Sequence, residues 1–232
     1  MKAMLLAAGM GTRLRPLTDT RPKALVEIDG EPLLAIALRR LAQAGVREVV
    51  INLHHFGEQI EAWVAEHGAF GIRVAFSRET ELLDTGGGLK QAAWFFDDGK
   101  PFLVHNVDVL SDIDLAEMVR SHEASGALAT LAAMPRPTAR PLLFDEAGRL
   151  CGRVHASGER LVVPVDAPLT RLGFCGIHVL SPEVFEHLHE VGRFSIVDAY
   201  LRLAVAGQRI RAFRVDGARW RDAGRPADLR PL

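Results

Sequence analysis

Residues Leu5–Lys23 read LLAAGMGTRLRPLTDTRPK, and the fold prediction starts from this stretch. The run Ala3–Ala7 is short and continuously apolar, which predicts a buried strand of a parallel sheet. Gly9 and Gly11 follow it, and two glycines let a backbone approach a ligand closely. Two prolines further along the stretch argue against a helix start. The chain is therefore predicted to begin with a buried strand that leads into a long glycine loop.

The same loop carries cationic side chains at Arg13 and Lys23. Exposed backbone amides and cations together suit the concentrated negative charge of a nucleoside triphosphate. Two other phosphate loops are excluded by spacing: a dinucleotide-binding loop needs a third glycine where Leu14 stands, and a Walker A string does not occur. The loop is predicted to bind phosphates in a third way.

The first half of the chain alternates strand-like and helix-like segments. Such repeated units predict an α/β fold: a doubly wound, mostly parallel (Rossmann-like) sheet with helices on both faces. The predicted strands are Ala3–Ala7, Arg47–Leu53, Ile72–Phe76, Phe102–His105 and Leu128–Met134, and the predicted helices are Glu31–Ala44, Phe56–His67, Gly88–Phe96 and Leu115–Glu123.

After Pro135 the pattern changes, and a small antiparallel addition is predicted. Residues Leu142–Arg153 read as a hairpin, and Leu172–Leu180 as a long strand. Helices are expected over 182–189 and 195–206, followed by strands Ile210–Val215 and Trp220–Asp222. We expect one domain over residues 1–232, divided into halves at 1–134 and 135–232.

Composition excludes several classes of protein. The formal net charge of −1 gives no reason to expect a nucleic-acid or membrane partner. No apolar stretch approaches the roughly 20 residues needed to cross a bilayer, and the N-terminal apolar run is too short for a signal peptide. Cys151 and Cys175 have no metal-ligand spacing and no disulfide framework. A cytoplasmic location is expected, and the oligomeric state is left open.

Further motifs extend the pattern of the first loop. They are Asp84–Gly88, Asn106–Asp108, Phe174–Gly176 and Trp220–Asp222. Together with Gly9–Lys23 they resemble the signature of the sugar-nucleotide pyrophosphorylase family, the sugar 1-phosphate nucleotidyltransferases. The resemblance covers essentially the whole chain. It implies a nucleotide-binding half over 1–134 and a sugar-binding half over 135–232.

The resemblance implies an enzyme that makes a nucleoside diphosphate sugar and pyrophosphate from a nucleoside triphosphate and a sugar 1-phosphate. Within the family, the length of the chain and its triple glycine are most similar to members that use UTP and N-acetylmuramate 1-phosphate. Other acceptors and bases stay open: mannose or heptose 1-phosphate with guanylyl transfer, or glucose 1-phosphate with uridylyl or thymidylyl transfer. An inactive regulatory protein that binds a nucleotide sugar is the alternative from another class.

Site residues follow from the loop chemistry and the resemblance together. Catalysis is expected to depend on Arg13, Lys23 and Asp108, and sugar contacts are expected at Asn106 and Gly176. The predicted nucleotide-binding residues are Ala8, Gly9, Met10, Gly11, Thr12, Arg13, Lys23, Thr85, Gly86 and Gly87. Of these, the glycines after Thr85 are read as a bare turn before a helix, against which a flat base can pack.

The expected cofactor is Mg²⁺. Asp108 follows the strand Phe102–His105, whose carboxyl end should lie beside the first loop, where ligands bind in open α/β sheets. Mg²⁺ bridges phosphates with the help of one or two carboxylates. The second carboxylate is assigned to Asp222 by the resemblance.

Two departures from the family pattern bear on the site. Members usually have glycine before the metal aspartate, whereas this chain has Val107, so the local backbone is expected to differ. Many members also have a lysine in the second half that holds the sugar phosphate. This chain has no lysine after Lys100, and Arg140, Arg153 or Arg171 is expected to replace it.

Overall fold

The computed structural model describes residues 1–155 and 158–232. The strands are β1 (Lys2–Leu6), β2 (Glu27–Ile28), β3 (Glu31–Pro32), β4 (Glu48–Leu53), β5 (Arg73–Arg78), β6 (Phe102–Asn106), β7 (Val109–Ser111), β8 (Ala129–Met134), β9 (Leu142–Phe144), β10 (Leu150–His155), β11 (Gly158–Leu161), β12 (Thr170–Leu180), β13 (Ile210–Arg214) and β14 (Trp220–Asp222). The α-helices are α1 (Leu33–Gln43), α2 (Gly57–His67), α3 (Asp84–Gln91), α4 (Leu115–Ser125), α5 (Val184–His187) and α6 (Ile196–Val205).

A parallel group of strands lies at the centre of the molecule. β1 pairs with β4 on one side and with β6 on the other, and β5 extends the group beyond β4. Met4 is level with both Val50 and Val104, so buried apolar side chains form continuous rows across the sheet. Because βα units connect these strands, their carboxyl ends lie at the same edge.

The long strand β12 joins this parallel group to the second half of the chain. It runs antiparallel to β6, β8 and β9, while β13 runs parallel to β8. The predicted hairpin over 142–153 is confirmed as β9 and β10, and β11 continues it. Within the described part of the chain, these strands and the parallel group form one sheet of 10 strands.

Helices cover both faces of the sheet, as predicted. One face packs on α1, α2 and α4 through a core that includes Leu5 and Ile51. The other face packs on α3, α5 and α6 through a core that includes Met4 and Val50. Neighbouring residues of one strand thus enter different cores, as expected where a strand is buried on both sides. No helix in the described ranges is long and apolar enough to cross a membrane.

Several predicted helix boundaries are wrong. The helix expected over Glu31–Ala44 begins at Leu33, because Glu31–Pro32 pair with β2 as β3, and the helix expected over 182–189 is limited to Val184–His187. The helix expected over Gly88–Phe96 begins at Asp84 as α3 and ends at Gln91, and a 3-10 turn, Ala93–Phe95, follows it. The triple glycine therefore lies inside the first turns of a helix and does not precede it. Glycine is a poor helix former, which is why the sequence pattern indicated a turn. Close packing against this part of the helix, described below, accounts for the choice of glycine.

Three buried histidines lie in or against the central sheet. His105 on β6 and His178 on β12 are fully enclosed, and His178 Nδ1 contacts the hydroxyl of the buried Tyr200. His122 on α4 lies between the hydroxyls of Thr130 and Ser181, at 2.9 and 3.0 Å. Burial lowers the pKa of His105 and of His122 to about 4, and that of His178 to about 3. All three are neutral in the folded protein at neutral pH.

The free energy of unfolding is expected to fall as the pH is lowered from about 6.5 to 5. In this window the unfolded chain takes up protons on these histidines, whereas the folded protein does not, so each contributes a loss of about 1 to 2 kcal/mol. Urea unfolding at a series of pH values measures this. His178→Gln should reduce the pH-dependent loss by the share of one histidine, and an unchanged pH dependence in that variant would contradict the assignment.

Candidate active site

A cavity of about 260 Å³ lies at the carboxyl ends of the parallel strands. β1, β4, β5 and β6 all end at its wall, as expected for the ligand-binding edge of an open α/β sheet. Its wall is formed by Leu6, Ala7, Ala8, Gly9, Lys23, Asn52, Glu79, Leu82, Asp84, Thr85, Asn106, Val107, Asp108 and Arg193. The cavity thus combines apolar walls with a small number of charged groups, as small-molecule sites commonly do.

The glycine loop folds back on itself beside this cavity. Gly11 has a left-handed backbone with φ +63°, and a Cβ there would lie 2.8 Å from the Thr18 methyl group and 3.2 Å from the Lys23 Cβ. The Thr18 hydroxyl donates to the Gly11 carbonyl at 2.9 Å, which closes the loop. Only glycine combines this backbone with this close packing. The compact loop brings Lys23 back to the end of β1.

Lys23 forms an ion pair with Asp108 at the cavity wall. Lys23 Nζ donates to Asp108 Oδ2, and their side chains are only 10% and 16% exposed. Lys23 lies at the start of a 3-10 turn after Pro22, and Asp108 lies two residues beyond the end of β6. The pair links the first loop to the end of β6. Two predicted catalytic side chains are thus in direct contact.

Asp222 reaches the same place from the far end of the chain. It lies on β14, which pairs only with β7 in a separate two-stranded sheet of the described chain. The Ala223 N–H donates to the Asp108 carbonyl at 2.8 Å, which brings the two aspartates together. Arg13 Nη2 lies 3.8 Å from Asp222 Oδ2. Gly224 is bare because a Cβ there would lie 2.5 Å from Arg13 and 2.6 Å from Asp222.

The Asp222 carboxylate has an unsatisfied oxygen. Its Oδ1 is buried and has no hydrogen-bond partner, although the side chain as a whole is 42% exposed. Burial raises the pKa of Asp222, the repulsion from Asp108 raises it further, and Lys23 and Arg13 oppose both effects. A buried carboxylate oxygen without a donor is costly unless a cation or a proton joins it. The arrangement therefore suits a cation placed between the two aspartates.

The donor set fits magnesium better than zinc. The described residues include no cluster of three or more His, Cys, Asp or Glu side chains that could enclose a metal ion. Asp108 and Asp222 could offer two carboxylates to a cation, whose remaining ligands would then be oxygens of a bound phosphate and water. Mg²⁺ is typically bound in this way, by one or two carboxylates together with phosphates.

Two buried polar residues in the cavity wall were not predicted. Asn52 is the second-to-last residue of β4, Glu79 directly follows β5, and both are nearly inaccessible to solvent. Asn52 Oδ1 accepts from the Ala7 N–H at 2.7 Å, and its Nδ2 donates to Glu79 Oε1 at 2.7 Å. Glu79 Oε2 accepts from the Leu83 N–H at 3.0 Å. Their sequence signal was available: each is a polar residue at the carboxyl end of a parallel strand.

The triple glycine packs against a segment from the second half of the chain. A Cβ on Gly86 would overlap the Phe194 ring, and one on Gly87 would overlap the Gly192 carbonyl. The Gly86 N–H donates to the Phe194 carbonyl at 3.0 Å, and Thr85 Oγ1 accepts from the Ile196 N–H at 3.1 Å. Gly86 and Gly87 have no side chains because residues 192–194 pack directly against this part of α3.

The predicted nucleotide-binding residues therefore separate into two groups. Ala8, Gly9, Lys23 and Thr85 line the cavity. The others, Met10, Gly11, Thr12, Arg13, Gly86 and Gly87, are not among its lining residues. The packing described above also places Arg193 at the cavity, as an exposed cation that sequence reasoning missed.

The two predicted sugar contacts touch each other. Gly176 has φ +72°, and a Cβ there would lie 2.8 Å from Asn106 Nδ2. Val107 lies next to Asn106 and is buried in the core, and its φ is not positive. The local backbone thus does not require glycine at position 107. Of the arginines expected to replace the missing lysine, Arg153 pairs with Asp198 at 2.6 Å, while Arg140 and Arg171 are exposed.

Comparison with known proteins adds sequence relatives. A sequence model described as Nucleotidyl transferase matches residues 2–231. The chain is 36% identical to the N-acetylmuramate alpha-1-phosphate uridylyltransferase of Neisseria meningitidis serogroup B, over 97% of this chain and 93% of that protein. It is 35% identical to the protein of the same name from Caulobacter vibrioides, over 89% and 85% of the two chains.

A second group of relatives is named for a different activity. The mannose-1-phosphate guanyltransferase of Yarrowia lipolytica is 34% identical over 99% of this chain, but the match spans only 62% of that protein. Among solved structures, UDP-glucose pyrophosphorylase complexed with UDP-glucose superposes with a TM-score of 0.79 at 21% identity, over 98% of this chain and 95% of the other. That likeness supports the fold.

Gly9→Ala and Gly86→Ala are expected to have opposite effects. A Cβ on Gly9 meets no protein atom within 4 Å, so this variant should keep its stability within about 1 kcal/mol. If Gly9 faces the nucleotide as the sequence predicts, the variant should lose at least about tenfold in UTP affinity, because the methyl group would enter the space of the nucleotide. In Gly86→Ala the new methyl group must displace Phe194, and we expect a loss of about 1–3 kcal/mol in the free energy of unfolding.

Urea unfolding and calorimetric titration with UTP measure the two effects. If Gly9→Ala destabilises the protein as much as Gly86→Ala does, or if it binds UTP normally, then Gly9 does not face the nucleotide.

Proposed function

The chain belongs to the nucleotidyl transferase family, and we propose that it transfers the uridylyl group of UTP to N-acetylmuramate 1-phosphate, releasing pyrophosphate. The substrate choice rests on the two uridylyltransferase relatives, which match this chain over most of the length of both partners. The guanyltransferase relative is matched over only 62% of its length. Its substrates are therefore the second candidate set.

The observation that carries the proposal is the group of four charges at the end of the parallel strands. Asp108 and Asp222 face each other, Lys23 contacts the first and Arg13 lies near the second. Two carboxylates held this close repel each other unless cations balance them. A site that already balances charge in this way suits a metal ion and the phosphates of a nucleotide.

Arg13 and Lys23 are suited to different tasks. Lys23 is nearly buried and firmly paired, so we propose that it holds Asp108 in place and adds a fixed positive charge beneath the phosphates. Arg13 is 56% exposed and lies 3.8 Å from its partner, so it is free to turn towards a phosphate when one is bound. Arginine forms two parallel hydrogen bonds to a phosphate, which favours orientation as well as attraction.

In the proposed reaction an oxygen of the sugar phosphate attacks the α-phosphorus of UTP in line. A new P–O bond forms there, the bond to the β-phosphate oxygen breaks, and pyrophosphate leaves with the electron pair. The attacking oxygen is already ionised at neutral pH, so no general base is needed. The work of the protein is then to position the reactants and to stabilise charge.

We propose that Asp108 and Asp222 hold Mg²⁺. When bound, the ion neutralises phosphate charge and orients the phosphates. Arg13 and Lys23 supply the remaining positive charge from the protein.

A covalent route through a cysteine is not favoured. Burial raises the pKa of the Cys175 thiol to about 11, and that of Cys151 is also raised. Both thiols are therefore protonated at neutral pH, and a protonated thiol is a weak nucleophile. Both are also enclosed in the protein core, away from the cavity wall.

For the nucleoside, we propose contacts with Ala8, Gly9 and Thr85, which line the cavity together with Glu79. For the sugar, we propose contacts at Asn106 and Gly176. Arg193 is exposed at the cavity wall, and we propose that it contacts an anionic part of a substrate. Because residues 192–194 also pack on α3, the two substrates would share this wall.

Purified protein with Mg²⁺, UTP and N-acetylmuramate 1-phosphate is expected to release pyrophosphate and form the uridine diphosphate sugar. A coupled phosphate assay and mass spectrometry of the product measure this. The same assay with GTP and mannose 1-phosphate tests the second candidate set. Nucleotide binding without pyrophosphate release from any pair in a panel of triphosphates and sugar phosphates would contradict the enzymatic proposal.

Asp108→Asn and Asp222→Asn are each expected to lower kcat by about 10²–10³, because each removes a carboxylate that we propose holds the Mg²⁺ that stabilises the transferring phosphate group. Chelation with EDTA should abolish turnover of the wild type, and added Mg²⁺ should restore it. Asp216→Asn is the matched control: it makes the same chemical change in a surface pair with Arg214. Turnover at the control level in Asp222→Asn would contradict the metal assignment.

A further inference from the structure

Asp222 lies on a short strand with few connections to the rest of the sheet. β14 pairs only with the three residues of β7, outside the main sheet of the described chain. The position of its carboxylate therefore depends on what holds β14 from the side. A small displacement matters, because groups that stabilise charge act only when they are held in place.

The side chain of Trp220 forms a lateral link from β14. Its indole N–H donates to the Cys175 carbonyl on β12 at 2.8 Å. Trp220 and Asp222 are two residues apart on one strand, so their side chains leave the same face about 7 Å apart. A contact that holds the indole ring in place therefore also restrains the strand that carries Asp222.

The guanidinium of Arg136 lies over the face of the Trp220 ring. The carbon of its guanidinium is 4.2 Å from the centroid of the Trp220 ring, and its Nη2 donates to the Phe174 carbonyl at 2.7 Å. Both carbonyl acceptors, on Phe174 and Cys175, belong to an irregular part of β12 where its pairing with β8 shifts register. Arg136 and Trp220 thus attach β14 to β12.

Gly173 makes room for this arrangement. A Cβ at this position would lie 2.6 Å from Arg136 Nε and 2.7 Å from its Cγ. The φ of Gly173 is not positive, so its backbone does not itself call for glycine. The residue is small because the Arg136 side chain lies across it.

The contacts of Arg136 lead to the Trp220 ring and do not include an ion pair with Asp222 in the described chain. Asp108, Lys23 and Arg13 are the charged groups that shift the pKa of Asp222, and Arg136 is not among them. No carboxylate pairs with Arg136 in the part of the chain that the structure describes. Its contacts are the indole ring, a carbonyl and the Cys175 thiol. The contacts described here connect Arg136 to the strand of Asp222 through Trp220.

We propose that Arg136 is a positioning residue, which clamps Trp220 onto β12 and so fixes Asp222 for metal binding. The inference rests on the metal role given to Asp222 under the proposed function. Neither Arg136 nor Gly173 is part of the proposed substrate contacts.

The test compares UTP binding with Mg²⁺ and with EDTA, by calorimetry and without a sugar phosphate, so that no turnover occurs. The ratio of the UTP affinity in Mg²⁺ to that in EDTA reports how much the metal contributes to UTP binding. Arg136→Ala is expected to lower this ratio about three- to tenfold, the size expected for the loss of one cation–π contact, while the affinity in EDTA stays within about twofold. Arg136→Lys keeps a cation over the ring and should recover most of the ratio.

Gly173→Ala provides an independent route to the same displacement, because its methyl group pushes Arg136 off the ring. It should lower the ratio as Arg136→Ala does. The double variant should have the same affinity ratio as Arg136→Ala alone, since the methyl group at position 173 then has no arginine side chain to displace. Arg120→Gln, which removes an exposed guanidinium from α4, is the control and should match the wild type.

The outcomes separate the two hypotheses. If Asp222→Asn lowers the ratio and Arg136→Ala does not, the clamp is overturned and the metal role of Asp222 stands. If Asp222→Asn leaves the ratio of the wild type unchanged, the metal role fails and the clamp fails with it. A fall in melting temperature for Arg136→Ala with an unchanged ratio shows a purely structural role and also overturns the inference.

Discussion

The architecture of the site follows from the repulsion between two carboxylates that the fold holds in contact. Asp108 and Asp222 come from opposite ends of the chain, and a backbone hydrogen bond from Ala223 to Asp108 keeps them together. Burial and mutual repulsion raise the pKa of Asp222, and Lys23 and Arg13 oppose this. A chain that keeps such a pair needs cations beside it, and both cations come from the first loop. The shape of that loop is therefore tied to the position of the aspartates.

Glycine is used in two physically different ways around this centre. At Gly11 and Gly176 the backbone is left-handed, and a side chain there would also meet a neighbouring residue. At Gly86 and Gly224 the backbone is ordinary, and glycine is needed because another group occupies the space: the Phe194 ring in one case, Arg13 and Asp222 in the other. A sequence shows both kinds as the same letter. Only the neighbours distinguish a turn from a place of close packing.

This difference explains what could be predicted from the sequence. The parallel strands were recognisable because apolar runs and the carboxyl-end rule are local signals, and these signals also predict that Asp108 lies beside the first loop, where the structure has it. The start of α3 could not be recognised from the sequence, because its glycines are read as a turn until the packing of Phe194 against them is known. Asn52 and Glu79 were missed although both lie at the carboxyl ends of strands, since a polar residue near a strand end is common. Arg193 gave no local signal: its place at the cavity depends on a contact between segments about a hundred residues apart.

That distant contact affects how substrate choice is organised. Gly86 and Thr85 hydrogen-bond to Phe194 and Ile196, so the wall of the cavity at the strand ends is built partly from the second half of the chain. The same half supplies Gly176, which touches Asn106 at the end of β6. A change in the 192–194 segment would therefore alter the packing of α3 and the position of Arg193 together. Under the proposed function, the nucleotide side and the sugar side would share these structural elements, so substitutions that alter selection of one substrate should rarely leave the other unaffected.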